Sequence, residues 1–222
     1  MSFDVNKWID ELVSKLKAAF GKRLLFAGLQ GSYRRGEAKP ASDIDVVVIL
    51  DELSLDDLKK YRGIIDSMPE NKKACGFISG RSQINNWPKM DIFQFKNDTR
   101  AVLGTLDGLV PVVEKKDIED YVKTSCANLY HMTVHCYLYD RNTDILKQIS
   151  KSLFFLFQAV NFLRTGRYAP SRKELCALLP EEEKEMLQTG LDSLSEPEIE
   201  KFYDKLIRYF SKGMQSGGAS GV

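Results

Sequence analysis

Apolar residues recur along the first part of the chain with two different periods, and each period predicts a type of element. Over Val5–Phe20 they return every three to four positions, which is the spacing of an amphipathic helix. The runs 24–29 and Ile44–Leu50 are short and mostly apolar, as in buried strands. Residues 56–68 again have helical spacing, and Pro69 ends the pattern. The N-terminal part is therefore expected to mix helices with strands.

Two further short strands are predicted before the pattern becomes helical. One covers residues 76–79. The other covers residues 90–95, where Ile92 and Gln94 alternate with two phenylalanines, and Pro88 indicates a loop before it. Together with the two longer runs, these segments predict a sheet.

From about residue 117 onward every periodic segment has helical spacing. The predicted helices are 117–139, 143–165, 171–179, 181–188 and 196–211. The pattern thus predicts an α+β fold, in which residues 1–112 form a core of strands and helices and residues 113–213 form a helical domain. Residues 214–222 are rich in Gly and Ser, and they are expected to be a disordered tail.

Composition narrows the functional class. The chain has 222 residues, 43% of them hydrophobic, which is enough for two small cores. A net charge of +1 argues against a protein that clamps long nucleic acid. Four widely spaced cysteines without a CxxC pair are typical of reduced thiols. With no signal-peptide pattern and no apolar run long enough to span a membrane, we expect a cytoplasmic protein that does not bind membranes.

Residues with possible catalytic or metal-binding roles lie at the start of the predicted apolar strand Ile44–Leu50. Asp43 and Asp45 are two residues apart, so in a strand both carboxylates point to one face. Two carboxylates this close repel each other, and a divalent cation relieves the repulsion. Mg²⁺ prefers such oxygen ligands together with phosphate oxygens. The pair therefore predicts a site for a cation or a substrate.

The segment before the aspartates adds an anion-binding element. Gly31 and Ser32 follow the first strand, and there backbone N–H groups and a hydroxyl can face an anion. The connecting residues include three basic side chains and one acidic side chain: Arg34, Arg35, Lys39 and Glu37. A phosphate cradle beside a metal site is the combination that phosphoryl or nucleotidyl transfer requires. The alternative is a polar hairpin loop whose aspartates cap or turn the chain.

These motifs resemble a known family. The segment Gly31-Ser-Tyr-Arg-Arg-Gly36, followed by Asp43-Ile-Asp45 and an apolar strand, is similar to the signature of polymerase-beta-like nucleotidyltransferases. The form of the first motif looks most like the bacterial minimal and antibiotic-modifying branch, which includes the kanamycin and lincosamide nucleotidyltransferases. The resemblance implies a mixed sheet with flanking helices, a nucleoside triphosphate held by Gly31 and Ser32, and Mg²⁺ bound by Asp43 and Asp45.

The resemblance also implies three further roles. A third carboxylate should come from a later strand, and Asp91 is the acid at the start of the predicted strand 90–95. One arginine should contact phosphate; Arg34 and Arg35 are both candidates, and motif position favours Arg35. In related two-domain enzymes a lysine from a later helix reaches the triphosphate. Lys147 and Lys151 are both candidates, and Lys151 is preferred because it lies nearer the middle of helix 143–165; a solvated lysine is the alternative.

The expected function is transfer of a nucleoside monophosphate, AMP from ATP, to a hydroxyl of a small molecule, with Mg²⁺ as cofactor and pyrophosphate as product. One alternative is an antitoxin-like interaction protein that binds or adenylylates a partner protein. Another is a nucleotide-binding relative that has lost catalysis. A homodimer is left open, and so is the general base among the acidic residues 114, 119 and 120.

One other pair of residues has the spacing of metal ligands. His131 and His135 are four residues apart on a predicted helix. Met132 stands where the HExxH pattern requires glutamate, and the sequence offers no evident third ligand. Packing or a contact between domains is therefore the favoured interpretation of the two histidines.

Overall fold

The computed structural model describes residues 3–140 and 142–216. The chain divides into two compact units, Met1–Val112 and Val113–Val222, and each is described by itself below. Within the described residues, no helix is long and apolar enough to cross a membrane. All four cysteines lie in the described part of the chain and are free thiols.

The N-terminal unit is built on one mixed sheet. Among the described residues four strands pair in the order β3-β2-β1-β4. β1 is antiparallel to both β2 and β4, whereas β2 and β3 are parallel. The elements of this unit in chain order are α1 (Val5–Phe20), β1 (Leu24–Gln30), α2 (Gly31–Arg35), β2 (Ile44–Leu50), α3 (Leu55–Asp66), β3 (Ala74–Gly80), α4 (Arg81–Asn85), α5 (Lys89–Asn97) and β4 (Arg100–Leu103).

The two faces of the sheet have different environments. On one face Ile44, Val46 and Val48 of β2 pack in a core with the buried side of α1, including Leu12 and Leu16. Because side chains alternate along a strand, the residues between them point to the opposite face. The apolar core thus anchors β2 from one side and turns the side chain of Asp45 toward the other face.

The predicted strand at residues 90–95 is wrong, because these residues lie within helix α5. Pro88 stands at the N-cap, where proline starts a helix without losing an internal hydrogen bond. Ile92 and Phe93 are both buried, and two consecutive buried residues suit a helix packed on a sheet rather than a half-exposed strand. Asp91 is therefore in the first turn of α5 and exposed.

The C-terminal unit is helical throughout its described residues. Its elements are α6 (Lys115–His135), a π-helical turn (Cys136–Asp140), α7 (Thr143–Thr165), α8 (Arg172–Cys176), α9 (Glu181–Gln188) and α10 (Glu196–Ser216). α6 packs against α7 and α10. Buried Glu183 binds Arg164 at 3.1 Å and accepts a hydrogen bond from Tyr209 at 2.9 Å. The mixed sheet and the later helices confirm the predicted α+β fold class. Of the predicted tail, residues 214–216 end α10, and residues 217–222 lie outside the described part.

Candidate active site

The candidate site is centred on the close approach of Gly31 to Asp45. Gly31 begins α2 directly after β1 and has a φ of 68°, a left-handed conformation that favours glycine. An ideal Cβ at this position would lie 2.9 Å from the Cγ of Asp45, and closer still to its Oδ2. Only glycine allows the carboxylate to lie against the backbone here. The two halves of the sequence motif are thus in direct contact.

The pairing of β1 with β2 produces this approach. Gln30, the last residue of β1, is the register partner of Asp45. The Gln30 side chain donates to the carbonyl oxygen of Phe95 at 3.1 Å and to the hydroxyl of Thr99 at 2.6 Å. The end of α5 is therefore tied to the strand end that carries the motif.

The two aspartates of the motif differ in their environment. Asp43 precedes β2 and is exposed, whereas Asp45 is partly buried within the strand. Burial raises the pKa of Asp45, and the negative charges of Asp43 and Asp98 add to this effect. The guanidinium of Arg35 acts in the opposite direction and lowers the pKa. The ionised form of Asp45 is thus disfavoured on balance, as expected for a carboxylate that can bind a cation.

Asp98 is a site residue that the sequence did not indicate. It is 8% exposed, and it directly follows α5, two residues before the start of β4. Its Oδ2 accepts hydrogen bonds from the Gly31 backbone N–H at 3.2 Å and from Nη1 of Arg35 at 2.7 Å. Its Oδ1 is buried and has no hydrogen-bond partner. Burial raises the pKa of Asp98, while Arg35 and the Gly31 N–H counteract this shift.

The two arginines of the motif have different partners. Arg35 is largely buried and forms ion pairs with Asp98 and, at 3.2 Å, with Glu37. Arg34 donates instead to the carbonyl oxygen of Asn97 at 3.1 Å. Both side chains therefore hold the α5–β4 connection close to α2. Arg35 is the one whose charge acts on the Asp45 carboxylate.

The residues fit a magnesium ion that is bound jointly with a substrate. Asp43 and Asp45 supply hard carboxylate oxygens, and the negative charge of Asp43 contributes to the raised pKa of Asp45. Among the described residues, no group of three or more His, Cys, Asp or Glu side chains could hold a metal ion. Mg²⁺ in proteins is commonly held by one or two carboxylates together with substrate phosphates and water, so two aspartates are sufficient.

The other predicted site residues lie in different elements. Asp91 is on the exposed first turn of α5, so its assignment as third carboxylate lacks the strand on which it depended. Lys151 is an exposed residue of α7 in the C-terminal unit. In the same unit, the ring centroids of His131 and His135 are 6.0 Å apart, and His135 Nδ1 lies 3.0 Å from the carboxylate of Asp140.

A weak local signal explains why Asp98 was missed. It belongs to the segment Asn97-Asp98-Thr99, which reads as a turn, and the strand after it has only four residues, of which two are exposed. So short a strand has no recognisable alternation of apolar and polar residues. Asp98 reaches the motif because β4 pairs with β1, a contact between residues about seventy positions apart.

The chain is similar to known proteins in sequence and in fold. Residues 9–101 match the sequence model of a family described as the nucleotidyltransferase domain. The fold is similar to that of the spectinomycin adenyltransferase AAD(9) from Enterococcus faecialis, solved with ATP and spectinomycin. The TM-score is 0.57 at 16% identity, over 95% of this chain and 99% of that one.

A second solved structure is a more distant match. It is the cyclic dinucleotide synthase CdnE from Elizabethkingia meningoseptica with GTP and Apcpp, with a TM-score of 0.30 and 14% identity, over 92% of this chain and 74% of that one. No curated protein sequence matches the chain significantly. At 16% identity the likeness to the adenyltransferase shows a shared fold alone, and function must be argued from the site.

Proposed function

Residues 9–101 match the nucleotidyltransferase domain family, and on that premise we propose that the chain transfers AMP from ATP to a hydroxyl of a small molecule. The resemblance seen in the Gly31-Ser32 and Asp43-Ile-Asp45 motifs is confirmed at the level of the superfamily. Pyrophosphate is the second product of the proposed reaction.

The single observation that carries the proposal is the contact between Gly31 and Asp45. It brings a turn suited to bind phosphate against a carboxylate suited to bind a divalent cation. A nucleoside triphosphate carries both the phosphates and the further oxygen ligands that such a cation needs. A hairpin loop with no ligand would gain nothing from pressing an ionisable carboxylate onto a backbone glycine.

We assign the binding roles as follows. Gly31, Ser32 and Arg35 bind the β- and γ-phosphates, since Gly31 lets the backbone approach an anion closely, Ser32 offers a hydroxyl and Arg35 a guanidinium within one turn of chain. Asp43 and Asp45 would hold Mg²⁺ through their carboxylate oxygens. When bound, the ion neutralises negative charge on the phosphate oxygens and favours attack at phosphorus.

In the transfer step an acceptor oxygen forms a bond to the α-phosphorus while the bond to pyrophosphate breaks. The acceptor hydroxyl gives up its proton to a base, and pyrophosphate leaves with the electron pair of the broken bond. The protein's contribution is to hold the two reactants in line and to stabilise the charge that develops on the leaving oxygens.

Asp98 has a positioning role in this proposal, which differs from the role of third carboxylate that the resemblance implied for Asp91. Its Oδ2 accepts hydrogen bonds from the Gly31 N–H and the Arg35 guanidinium, and these bonds fix two residues that are assigned to phosphate binding. Bonds that fix such groups before the substrate arrives reduce the loss of freedom on binding. Lys151 is retained as a proposed phosphate contact from the helical domain.

The proposal is tested by mixing the full chain with Mg²⁺, ATP and a panel of hydroxylated acceptors, and measuring pyrophosphate. The panel includes aminocyclitols such as spectinomycin, because the relative of the same fold was solved with that compound. We expect acceptor-dependent release in the wild type and none in an Asp43→Asn variant. The proposal is refuted if no acceptor gives release and calorimetry detects no ATP binding.

The antitoxin-like alternative has its own outcome in the same experiment. If α-labelled ATP transfers its label to a protein in a cell extract, and to no small acceptor, a protein partner is the substrate. A catalytically inactive relative would bind ATP in the calorimeter and transfer label to neither.

A further inference from the structure

Aromatic side chains lie on the same face of the sheet as the Asp45 carboxylate. Asp45 pairs with Cys75 of the parallel strand β3, and Phe77 is two residues further along that strand. In a parallel pair, register partners point to the same face, so Cys75 and Phe77 share the face of Asp45. With strands about 4.8 Å apart and a rise of about 3.3 Å per residue, the Cα atoms of Asp45 and Phe77 are about 8 Å apart.

Phe77 is the centre of an aromatic cluster, defined here as Phe77, Trp87 and Phe95. The Phe77 ring lies 5.2 Å from the Trp87 ring at an interplanar angle of 90°, and 5.2 Å from the Phe95 ring at 70°. Both arrangements are edge-to-face, which is a favoured geometry for aromatic pairs. The three rings therefore hold one another in fixed orientations.

The aromatic cluster is not part of the buried core. Trp87 is 39% exposed, and the two phenylalanines are only partly buried. Trp8, the other tryptophan of the chain, is 2% exposed and donates its indole N–H to a backbone carbonyl. An orientated indole that keeps this much of its surface in solvent is available to contact a flat ligand.

The aromatic cluster is continuous with the candidate active site. The carbonyl oxygen of Phe95 accepts a hydrogen bond from Gln30, which immediately precedes Gly31 and pairs with Asp45. A ligand whose phosphates lie at Gly31 and Asp45 therefore has an aromatic surface within reach along the same face. On a nucleoside triphosphate, the group that extends away from the phosphates is the base.

We propose that Trp87, supported by Phe77 and Phe95, is the surface on which the nucleobase of the substrate stacks. The inference rests on the proposed function, because it names the base subsite of that same nucleotide. Nucleobases stack on aromatic side chains through their π-faces, and this contact does not require a hydrogen-bonding pattern. The nucleobase is the preferred occupant because it presents a flat π-face that matches the indole.

Another exposed aromatic residue in the same unit, Phe3, provides a matched control. Phe3 is 37% exposed, and its ring lies 5.7 Å from that of Tyr33. Tyr33 packs against the core between β2 and α1, on the face of the sheet opposite to Asp45. A Phe3→Leu change therefore removes an exposed aromatic ring of the N-terminal unit without touching the proposed base surface.

The test measures binding of two probes in the presence of Mg²⁺: ATP, and inorganic tripolyphosphate, which has the phosphates but no base. We expect Trp87→Leu to weaken ATP binding by about 10-fold to 100-fold, the range for losing one stacked base. Binding of tripolyphosphate should stay within about two-fold in the same variant. Trp87→Phe should recover part of the ATP affinity, and Phe3→Leu should change neither probe. Binding of ATP should also quench the tryptophan fluorescence of the wild type and not that of Trp87→Leu.

Each other outcome overturns the inference. Equal ATP affinity in wild type and Trp87→Leu means that the base does not contact the indole. Equal loss for both probes means that the substitution disturbs the phosphate site instead, and a thermal melt of the variant shows whether the fold is affected. If the wild type binds tripolyphosphate as tightly as ATP, the base subsite is absent while the phosphate site stands. If it binds neither probe, the proposed function fails as well.

Discussion

Replacement of Gly31 by alanine tests the geometry on which the candidate site depends. Two separate penalties are expected. The φ of 68° is a left-handed conformation, which costs an alanine about 1–2 kcal/mol relative to glycine. The new Cβ would also press on the Asp45 carboxylate, and crowding of this kind in a packed region costs about 1–3 kcal/mol. Gly31→Ala should therefore lower the free energy of unfolding by about 2–5 kcal/mol.

A second glycine of the same short helix separates the two penalties. Gly36 has a φ of 72°, but an added Cβ there would meet nothing within 4 Å. Gly36→Ala should thus cost only the conformational part, about 1–2 kcal/mol. In an Asp45→Ala background the carboxylate is absent, and Gly31→Ala should then cost about as much as Gly36→Ala.

The assay is urea unfolding of the single and double variants, followed by far-UV circular dichroism at constant pH without Mg²⁺. The double-mutant cycle should give an interaction energy of about 1–3 kcal/mol between positions 31 and 45, provided that the denaturant slopes agree. If Gly31→Ala lowers the free energy of unfolding no more than Gly36→Ala does, or if the cycle shows no coupling, Asp45 does not lie against Gly31. Either result would contradict the geometry of the candidate site.

Three other outcomes are expected. Asp45→Asn should abolish transfer and leave the Mg²⁺-free protein equally or more stable at neutral pH. The raised pKa of Asp45 means that its ionised carboxylate weakens the fold, so the stability difference between variant and wild type should shrink as the pH falls and Asp45 protonates. A large loss of stability in Asp45→Asn would contradict this expectation. Asp98→Asn should lower kcat/KM for ATP by about 100-fold, because the phosphate-binding residues are then misplaced. Asp91→Asn should leave kcat/KM within about two-fold of the wild type. Equal effects of the two substitutions would refute the positioning role of Asp98. In the helical unit, Glu183→Ala should lower the free energy of unfolding by about 3–5 kcal/mol, because it leaves a partly buried arginine unpaired. Glu185→Ala removes an exposed ion pair and should change the free energy of unfolding little. Thermal melts of the two variants measure both effects.

Elements with strong local patterns were predictable from the sequence. Val5–Phe20 and Ile44–Leu50 have the observed limits of α1 and β2, because a full helical or strand period is present in each. The Gly-Ser turn and the Asp-Ile-Asp pair were recognised for the same reason: the chemistry of each resides within a few consecutive residues. A strand of period two also guarantees that Asp45 and Ile44 face opposite sides.

Residues 90–95 show that the local pattern of apolar residues is not always sufficient to predict the type of secondary structure. Ile-Phe-Gln-Phe is compatible with a strand, yet both strands of the motif already have their neighbours: β3 lies beside β2, and β4 lies beside β1. With no free edge next to the motif, the segment forms a helix that covers the sheet face. This outcome depends on strand pairing across the whole unit, which a six-residue window does not contain.

The amino-acid sequence by itself determined the main strands, the motif and the class of chemistry, because these follow from the order of neighbouring residues. The tertiary structure decided which acid joins the motif, what Arg35 binds, and which aromatic rings lie on the face of Asp45. Asp98 reaches Gly31 only through the pairing of β1 with β4, and Phe77 shares a face with Asp45 only through the parallel register of β2 and β3. Both are contacts between residues far apart in the chain, and they form because the apolar faces of the sheet and its helices are buried together.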